Sequence, residues 1–267
     1  MIKADGHLHS FFSFDGKASI AEMAAEAFAR DLSTITMAEH FSVCSFDPSY
    51  QVLEYETYSR EISTLQHQYQ GKMEIRKGLE IGEPHVRKQD INAFLQGKRL
   101  DIIIGSLHNI GQVKLRQTME GKERRQIYQD YFDALLLMVQ EGDMDVVGHF
   151  DLMKRYAYTY RGGYEFLEFG EIIREILSVM VTRGIGLEIN TSGWEQTVRE
   201  CFPTMETVCL YRQLGGEIIT IGSDAHTPDR IGSGFDRVVQ MLQAFQFSYY
   251  CSYKNRQPEF FLWREQT

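Results

Sequence analysis

Short apolar runs alternate along this chain with longer amphipathic segments. Seven runs of four to nine residues are rich in Ile, Val or Leu and are too short for globular helices, so the pattern predicts β-strands there. The predicted strands cover residues 2–5, 34–38, 73–81, 101–106, 145–148, 186–190 and 217–221. Each of them is followed by a segment whose apolar residues recur at helical spacing.

Those longer segments predict helices over residues 18–30, 54–69, 122–140, 166–183, 203–214 and 232–244. A further helix is expected to open at Pro84, since proline is tolerated in a first helical turn. A strand followed by a helix, repeated along the whole chain, predicts a parallel sheet with helical crossovers. An open doubly wound sheet and a closed barrel both fit this alternation.

The composition is that of an ordinary globular protein. The 267 residues are 43% hydrophobic and 24% charged, and no run of 18 apolar residues is present that would span a membrane. This length suits one α/β domain, expected to cover residues 1–267. The first residues lack the apolar stretch of a signal peptide, so a cytoplasmic location without a membrane partner is expected.

The formal net charge is −9, which argues against sequence-independent binding to nucleic acid. A small anionic substrate fits this charge if cations in the site reverse the field locally. The four cysteines form no C-x-x-C pair and are expected to be reduced thiols in or near the core: Cys44, Cys201, Cys209 and Cys251.

Histidine and acidic residues cluster where the predicted strands end. Six of the eight histidines fall there, namely His7, His9, His40, His108, His149 and His226, together with Glu80 and Asp224. In a barrel of parallel strands the carboxyl ends converge on one rim, whereas an open sheet spreads them over its width. The pattern therefore favours an α/β barrel of the TIM type with a metal site at the C-terminal rim of its strands.

The side chains at this rim offer imidazole nitrogen and carboxylate oxygen but no thiolate. Such donors suit zinc, iron or manganese ions rather than a cysteine-rich structural zinc site. His7 and His9 are separated by one residue, so at a strand end both rings lie on one face and can bind the same ion. His67 and His85 fall on predicted helices away from the rim and are expected to be structural or solvent-exposed.

The order of these motifs resembles that of the PHP (polymerase and histidinol phosphatase) superfamily. The matching segments are His7-Leu8-His9-Ser10, Glu80, Ser106-Leu107-His108, Gly148-His149 and Ser223-Asp224-Ala225-His226. Two further segments, 148–156 and 187–193, resemble its stand-alone histidinol-phosphatase branch. The resemblance implies a distorted (β/α)7 barrel that holds two or three divalent metal ions.

Carried over residue by residue, the resemblance implies three sets of metal ligands. The sets are His7, His9, Glu80 and Asp224; then Glu80, as a bridge, with His108 and His149; then Asp15, His40 and His226. Catalytic roles are implied for Glu80, Asp224 and His226, the last two orienting the attacking water or protonating the leaving alcohol. Asp15 has an alternative role at the start of a loop or as a helix cap. Glu39 is expected to support the site or to lie at the surface.

The implied reaction is hydrolysis of L-histidinol phosphate to L-histidinol and phosphate, a step of histidine biosynthesis. Phosphate monoesters hydrolyse very slowly in water, and clustered divalent cations are expected to generate hydroxide and to neutralise phosphoryl charge. Arginine suits phosphate because its fork matches two oxygens. The candidates to contact the substrate are Arg155 and Lys154, then Arg161 and Arg230, with Asn190 and Ser192 at its polar end.

Three other interpretations stay open. The main alternative is a PHP-family phosphoesterase acting on nucleotides or other small phosphate esters, which the charge of −9 disfavours. An amidohydrolase would commonly carry a metal-bridging lysine after the fourth strand, where Ser106-Leu107-His108 offers none. A non-catalytic metal-stabilised module is disfavoured because every implied ligand is retained. The oligomeric state is not predicted.

Overall fold

The computed structural model describes residues 2–262 and shows a ring of parallel strands surrounded by helices. The strands are β1 (Ala4–Leu8), β2 (Thr34–Phe41), β3 (Glu74–Gly82), β4 (Ile102–Ser106), β5 (Asn109–Ile110), β6 (Val113–Lys114), β7 (Val146–Val147), β8 (Gly186–Asn190), β9 (Ile219–Gly222), β10 (Tyr249–Lys254) and β11 (Gln257–Leu262). Strands β1 to β4 and β7 to β9 are parallel neighbours in chain order.

The ring closes between its first and last parallel strands. Leu8 at the end of β1 forms an isolated parallel bridge with Ala225, just after β9. The backbone amide of His9 donates to the Ala225 oxygen at 2.9 Å, and that of Asp224 donates to the His7 oxygen at 2.9 Å. The expected barrel-type (β/α) fold is confirmed, and its distortion lies at this seam, where a bridge replaces a regular ladder.

The helices are α1 (Ile20–Ala29), α2 (Tyr55–Gln68), α3 (Lys88–Leu95), α4 (Arg124–Glu141), α5 (Met153–Arg161), α6 (Phe166–Arg183), α7 (Met205–Gln213) and α8 (Phe235–Ala244). The start of α1 is a capping box, in which the Ser19 hydroxyl accepts from the Glu22 amide and the Glu22 carboxylate accepts from the Ser19 amide. Within residues 2–262, no helix is long and apolar enough to cross a membrane. The four cysteines are free thiols.

Predicted and observed elements follow the same order, and α6 and β8 match their predicted bounds. Strand β1 covers Ala4–Leu8 instead of 2–5, which places His7 inside the strand. The helix expected at Pro84 was wrong in its start: α3 begins at Lys88, after Arg87 adopts a left-handed φ of 51°. Pro84 and His85 lie in the turn before it, so His85 is not on a helix.

Helix α5 was not predicted. Three tyrosines at 156, 158 and 160 alternate there as strand residues do. Met153 and Ala157 are nevertheless buried on one side of the segment, so packing against the rest of the barrel selects the helix. The antiparallel hairpins β5–β6 and β10–β11 were also missed, because they are additions to the strand-then-helix repeat.

The β10–β11 hairpin closes the end of the barrel where the parallel strands begin. Tyr253 of this hairpin is buried in a cluster with Ala38, Ile102, Ile104 and Val146 from the barrel strands. Its hydroxyl donates to the Asp145 backbone oxygen at 3.1 Å, and Arg256 in the hairpin turn pairs with the Asp145 carboxylate at 2.7 Å. Apolar packing therefore fills this end and leaves the opposite rim for polar side chains.

Candidate metal centre

The carboxyl ends of the parallel strands bring the predicted metal ligands into one cluster. His7 lies in β1, His40 in β2 and Glu80 in β3; His108 follows β4, His149 follows β7, Asp224 and His226 follow β9, and His9 and Asp15 lie between β1 and α1. Most of these side chains are buried, whereas the Asp15 side chain is 41% exposed and lies at the edge of the cluster. The barrel rim thus joins residues that are far apart in the chain.

Glu80 lies at the centre of this cluster. Its two oxygens face imidazole nitrogens at 2.7 Å (His40 Nδ1), 2.7 Å (His149 Nε2), 3.4 Å (His7 Nε2), 3.4 Å (His108 Nε2) and 3.5 Å (His9 Nε2). The Ser106 hydroxyl also donates to Glu80 Oε1 at 2.6 Å and holds the carboxylate in place. This arrangement suits a carboxylate that bridges two cations.

Three of the imidazoles have their Nδ1 proton bound away from the cluster. The acceptors are Glu188 Oε1 for His7 at 2.7 Å, Ser13 Oγ for His9 at 3.0 Å, and the Asp224 backbone oxygen for His226 at 2.9 Å. Metal-ligating histidines usually donate the N–H of the ring nitrogen that does not bind the metal in this way. In the neutral ring, the lone pair on Nε2 is then free for a metal.

The Nε2 atoms of His7, His9 and His226 are buried and have no hydrogen-bond partner among the described residues. His9 Nε2 lies 3.3 Å from Asp224 Oδ1, and His226 Nε2 lies 3.3 Å from Asp15 Oδ1. An imidazole nitrogen that faces a carboxylate needs a proton or a cation between the two atoms. Against the effect of burial, Asp15 and Asp224 raise the pKa of His226 to about 9, which shows that this position favours a positive charge. The residues therefore fit divalent transition-metal ions, which imidazole and carboxylate ligands bind well.

Electrostatics keep the two central carboxylates ionised. Burial alone would raise the pKa of Glu80, but the surrounding imidazoles, above all that of His40, hold the pKa well below its usual range. Burial also opposes ionisation of Asp224, but the adjacent imidazole of His9 and the nearby charge of Arg155 outweigh it, so that its pKa too is held well below the usual range. Both groups are therefore negative and able to bind cations at neutral pH.

His9 is held in its neutral form. Burial and the neighbouring rings of His40 and His226 hold its pKa well below the usual range. These two rings stack on His9 with centroids 4.2 and 4.3 Å away, so a proton on each of the three would bring like charges together. Neutral imidazole is the form that binds a metal.

The donor atoms fall into three groups that partly match the implied ligand sets. Each group has its donor atoms within 4.8 Å of one another: His7, His9 and Asp224; His40, Glu80 and His108; and His9, His40 and His226. The first group matches most of the first implied set. His40 lies between the second and third implied sets, and His149 joins the cluster through Glu80.

A cleft of about 510 Å³ opens onto the metal ligands and includes Arg155 in its lining. The Arg155 guanidinium donates from Nη2 to Asp224 Oδ2 at 3.2 Å and to Ser192 Oγ at 2.9 Å, and from Nε to Gln196 at 3.0 Å. Among the described residues, these bonds leave Nη1 without a partner. Arg155 is thus held beside the metal ligands with a donor that can reach a ligand in the cleft.

The structure does not bring Lys154 to this cleft. Lys154 is buried and pairs with Asp151 and Glu200, both at 3.0 Å. Arg161 is exposed at the last residue of α5, and Arg230 pairs with Glu195 at 2.8 Å; among residues 2–262, neither lines the cleft.

Asn190 and Glu188 support the site from the end of β8. The Asn190 side chain accepts from the Ser192 hydroxyl at 2.6 Å and donates to Glu188 Oε2 at 3.1 Å. Glu188 Oε2 also accepts from the His149 backbone amide at 2.8 Å, while the other oxygen, Oε1, bonds His7. No role was assigned to Glu188 from the sequence. Its position near a strand end, two residues before Asn190 and therefore on the same face of the strand, could have indicated that it lies at the site.

Comparison with known proteins agrees with this geometry. The PHP domain family matches residues 5–192. A histidinol-phosphatase from Lactococcus lactis subsp. lactis (strain IL1403) is 32% identical over 236 residues, covering 86% of each chain. A histidinol-phosphatase from Bacillus subtilis (strain 168) is 24% identical over 271 residues, covering 90% of this chain and 99% of the relative.

A solved structure is similar over nearly the whole chain. Histidinol phosphate phosphatase from Lactococcus lactis subsp. lactis, complexed with zinc, L-histidinol and phosphate, has a TM-score of 0.89 and 28% identity, covering 96% of this chain and 98% of that one. The family match alone spans more than half of the residues. This chain therefore belongs to the PHP domain family.

Proposed function

We propose that this protein is a metal-dependent phosphomonoesterase that hydrolyses L-histidinol phosphate to L-histidinol and phosphate. The activity is supported above all by the buried imidazole lone pairs that face ionised carboxylates at the floor of a cleft containing Arg155. The substrate is supported by the relatives, which are histidinol-phosphatases, one of them solved with L-histidinol and phosphate bound.

The cofactors are two or three divalent ions of zinc, iron or manganese. His7, His9, Glu80 and Asp224 would hold one ion, Glu80 with His108 and His149 a second, and Asp15, His40 and His226 a third. When bound, such ions neutralise charge on the phosphoryl oxygens and make water a nucleophile at neutral pH. Zinc is favoured by the zinc in the similar Lactococcus lactis structure.

The protein's own side chains orient the reacting groups. Arg155 binds phosphoryl oxygens through Nη1, and its bonds to Gln196 and Ser192 hold the guanidinium ready, so that little freedom is lost on binding. Asp224 stays ionised at neutral pH because its pKa is held low, so it accepts a hydrogen bond from the attacking water and does not act as the acid. Asn190 acts through Ser192 rather than on the substrate.

Phosphate release by the purified protein tests this function. The protein is stripped with a chelator, reloaded with zinc, manganese or ferrous iron, and assayed with L-histidinol phosphate, a nucleoside monophosphate and an aryl phosphate. We expect release from L-histidinol phosphate to need metal and to exceed release from the other esters. Faster release from the nucleotide would favour the alternative phosphoesterase, and no release with any metal would refute both.

We also propose that residues 1–267 form one domain. The packing of the β10–β11 hairpin under the barrel supports this, since it ties the C-terminal part of the described chain to strands from the N-terminal half. Met1 and residues 263–267 lie outside the described residues. Limited proteolysis that separates two stable fragments would contradict a single domain.

A further inference from the structure

His9 differs from the other histidines of the metal centre in what holds its Nδ1 proton. His7 donates directly to a carboxylate and His226 to a backbone oxygen. His9 donates to the hydroxyl of Ser13, at 3.0 Å, and this hydroxyl is itself held by Glu39. The carboxylate of Glu39 is therefore connected to the His9 ring through the Ser13 hydroxyl and not by a direct hydrogen bond.

With the Glu39 carboxylate ionised, the hydrogen bonds around Ser13 allow one arrangement of protons. A serine hydroxyl has a single proton, and Ser13 Oγ lies 2.5 Å from Glu39 Oε2, which accepts it. Ser13 Oγ must then act as acceptor toward its other neighbours, the His40 backbone amide at 3.0 Å and His9 Nδ1. The proton of His9 is therefore on Nδ1, and the lone pair is on Nε2.

Glu39 lies where its carboxylate accepts hydrogen bonds from two serines. It is fully buried, and its oxygens accept from the Ser10 backbone amide at 3.1 Å, the Ser10 hydroxyl at 2.6 Å and the Ser13 hydroxyl. No metal-ligand side chain lies in hydrogen-bond contact with Glu39 among the described residues. Its bond with Ser13 therefore links it to the His9 ring, while its bonds with Ser10 hold the backbone next to His9.

We propose that Glu39 and Ser13 are positioning residues that set the proton of His9 on Nδ1 and so keep Nε2 free to bind a divalent cation. The inference rests on the proposed metal-dependent function. Because Ser13 also holds the backbone of His40, the same pair fixes two members of the donor group formed by His9, His40 and His226. Partners of this kind change metal affinity about 10- to 100-fold when they are removed.

The test compares zinc affinity and the state of the His9 ring in Ser13→Ala, Glu39→Gln and the double variant. Ser252→Ala is the control, since Ser252 is also a buried serine but lies in β10 at the other end of the barrel. Affinity is measured by competition with a chromophoric chelator. The His9 ring is followed by nitrogen-15 NMR of the zinc-loaded protein, assigned by its loss in His9→Ala.

We expect each single variant to bind zinc about 10- to 100-fold less tightly and to lose the exchange-protected Nδ1 proton of His9. The double variant should lose less than the sum of the two single losses, because both changes break the bond between Ser13 and Glu39. The Ser252→Ala protein should bind zinc as the parent does. Thermal melting of each variant verifies folding, and Ser13→Ala decides the question alone if Glu39→Gln does not fold.

Unchanged zinc affinity and an unchanged His9 proton in Ser13→Ala would overturn the proposal, as would additive losses in the double variant. Failure of the proposed function is distinguishable from these outcomes. If the proposed function fails, the parent protein itself binds no divalent ion and releases no phosphate. If only the role of Glu39 and Ser13 fails, the parent does both, and the variants bind zinc as the parent does.

Discussion

Glu188 on β8 holds His7 on β1 across an intervening strand. Glu188 Oε1 accepts the Nδ1 proton of His7 at 2.7 Å, and both side chains are buried. The bond passes over Gly222 on β9, where a Cβ atom would collide with Glu188 Oε1 and with His7 Cβ. The absent side chain of a glycine thus makes room for a contact that orients a metal ligand.

Replacing Glu188 by Gln should weaken metal binding. An amide cannot accept from His7 on one side and from the His149 amide and Asn190 on the other without presenting its NH2 group to a donor. We expect zinc affinity to fall about 10- to 100-fold, measured by chelator competition. Glu175→Gln, on the exposed face of α6, is the matched control; equal zinc affinity in the two variants would contradict the role of Glu188.

Gly222→Ala should lower the zinc affinity of the protein and, with it, the phosphatase activity. The added methyl group displaces the Glu188 carboxylate or the His7 ring, so the metal site changes shape. We expect a loss of zinc affinity similar to that of Glu188→Gln. Gly170→Ala in α6 meets only Phe166, at 4.0 Å, and should be neutral or stabilising by roughly 0.5–1 kcal/mol. Normal metal content in Gly222→Ala would show that the site tolerates the methyl group.

Glu80→Gln should remove metal and activity together. The change deletes a buried negative charge from the centre of five imidazoles, so two cations lose a shared ligand. We expect phosphate release to fall about 100-fold or more, with fewer metal ions per chain by elemental analysis and an unchanged circular dichroism spectrum. His67→Ala, on the exposed side of α2, should stay within a few-fold of the parent. A Glu80→Gln protein with full metal content would refute the bridging role.

Arg155→Lys should lower kcat/KM without changing metal content. Lysine keeps the charge but loses the fork that bonds Asp224 and Ser192 and that would also bind the phosphate. We expect a loss of about 1–3 kcal/mol, roughly 5- to 150-fold, with both L-histidinol phosphate and an aryl phosphate. Arg161→Lys should be silent, because Arg161 is exposed outside the cleft. A loss only in Arg161→Lys would move the phosphate contact to the end of α5.

The hairpin below the barrel should contribute to stability but not to chemistry. Tyr253 is 3% exposed, and Tyr253→Ala leaves a cavity among the strand side chains, at a cost of about 3–5 kcal/mol in the free energy of unfolding. Phe260→Ala in the same hairpin should cost under about 1 kcal/mol, since Phe260 is 51% exposed. Urea unfolding measures the free energy of unfolding of both variants. Similar losses in the two would mean that the buried side of the hairpin does not fill the end of the barrel.

The sequence by itself determined the order of the predicted elements and indicated which residues form the candidate metal centre. Helical and strand periodicities depend on residues close together in the chain, so the bounds of α6 and β8 followed directly from the pattern. The histidines at strand ends could be assigned to one cluster because parallel strands in a barrel end on the same rim. That rule needs no knowledge of individual contacts.

Tertiary structure decided which neighbours serve the site. Lys154 and Arg155 are adjacent in sequence and both carry a positive charge that could attract phosphate, but successive helical residues point about 100° apart. Helix α5 therefore turns Lys154 toward Asp151 and Glu200 and turns Arg155 into the cleft. The alternating tyrosines did not predict this helix, because its formation depends on tertiary packing rather than on local sequence preference.

The supporting bonds of the metal ligands were also beyond the reach of the sequence. His7 and Glu188 are 181 residues apart, and Ser13 and Glu39 are 26 apart, so no local pattern connects either pair. Their contacts arise only when the strands close into a ring and their side chains share one interior. The candidate metal ligands could therefore be found from local sequence patterns, whereas the partners that orient them are determined only by the tertiary fold.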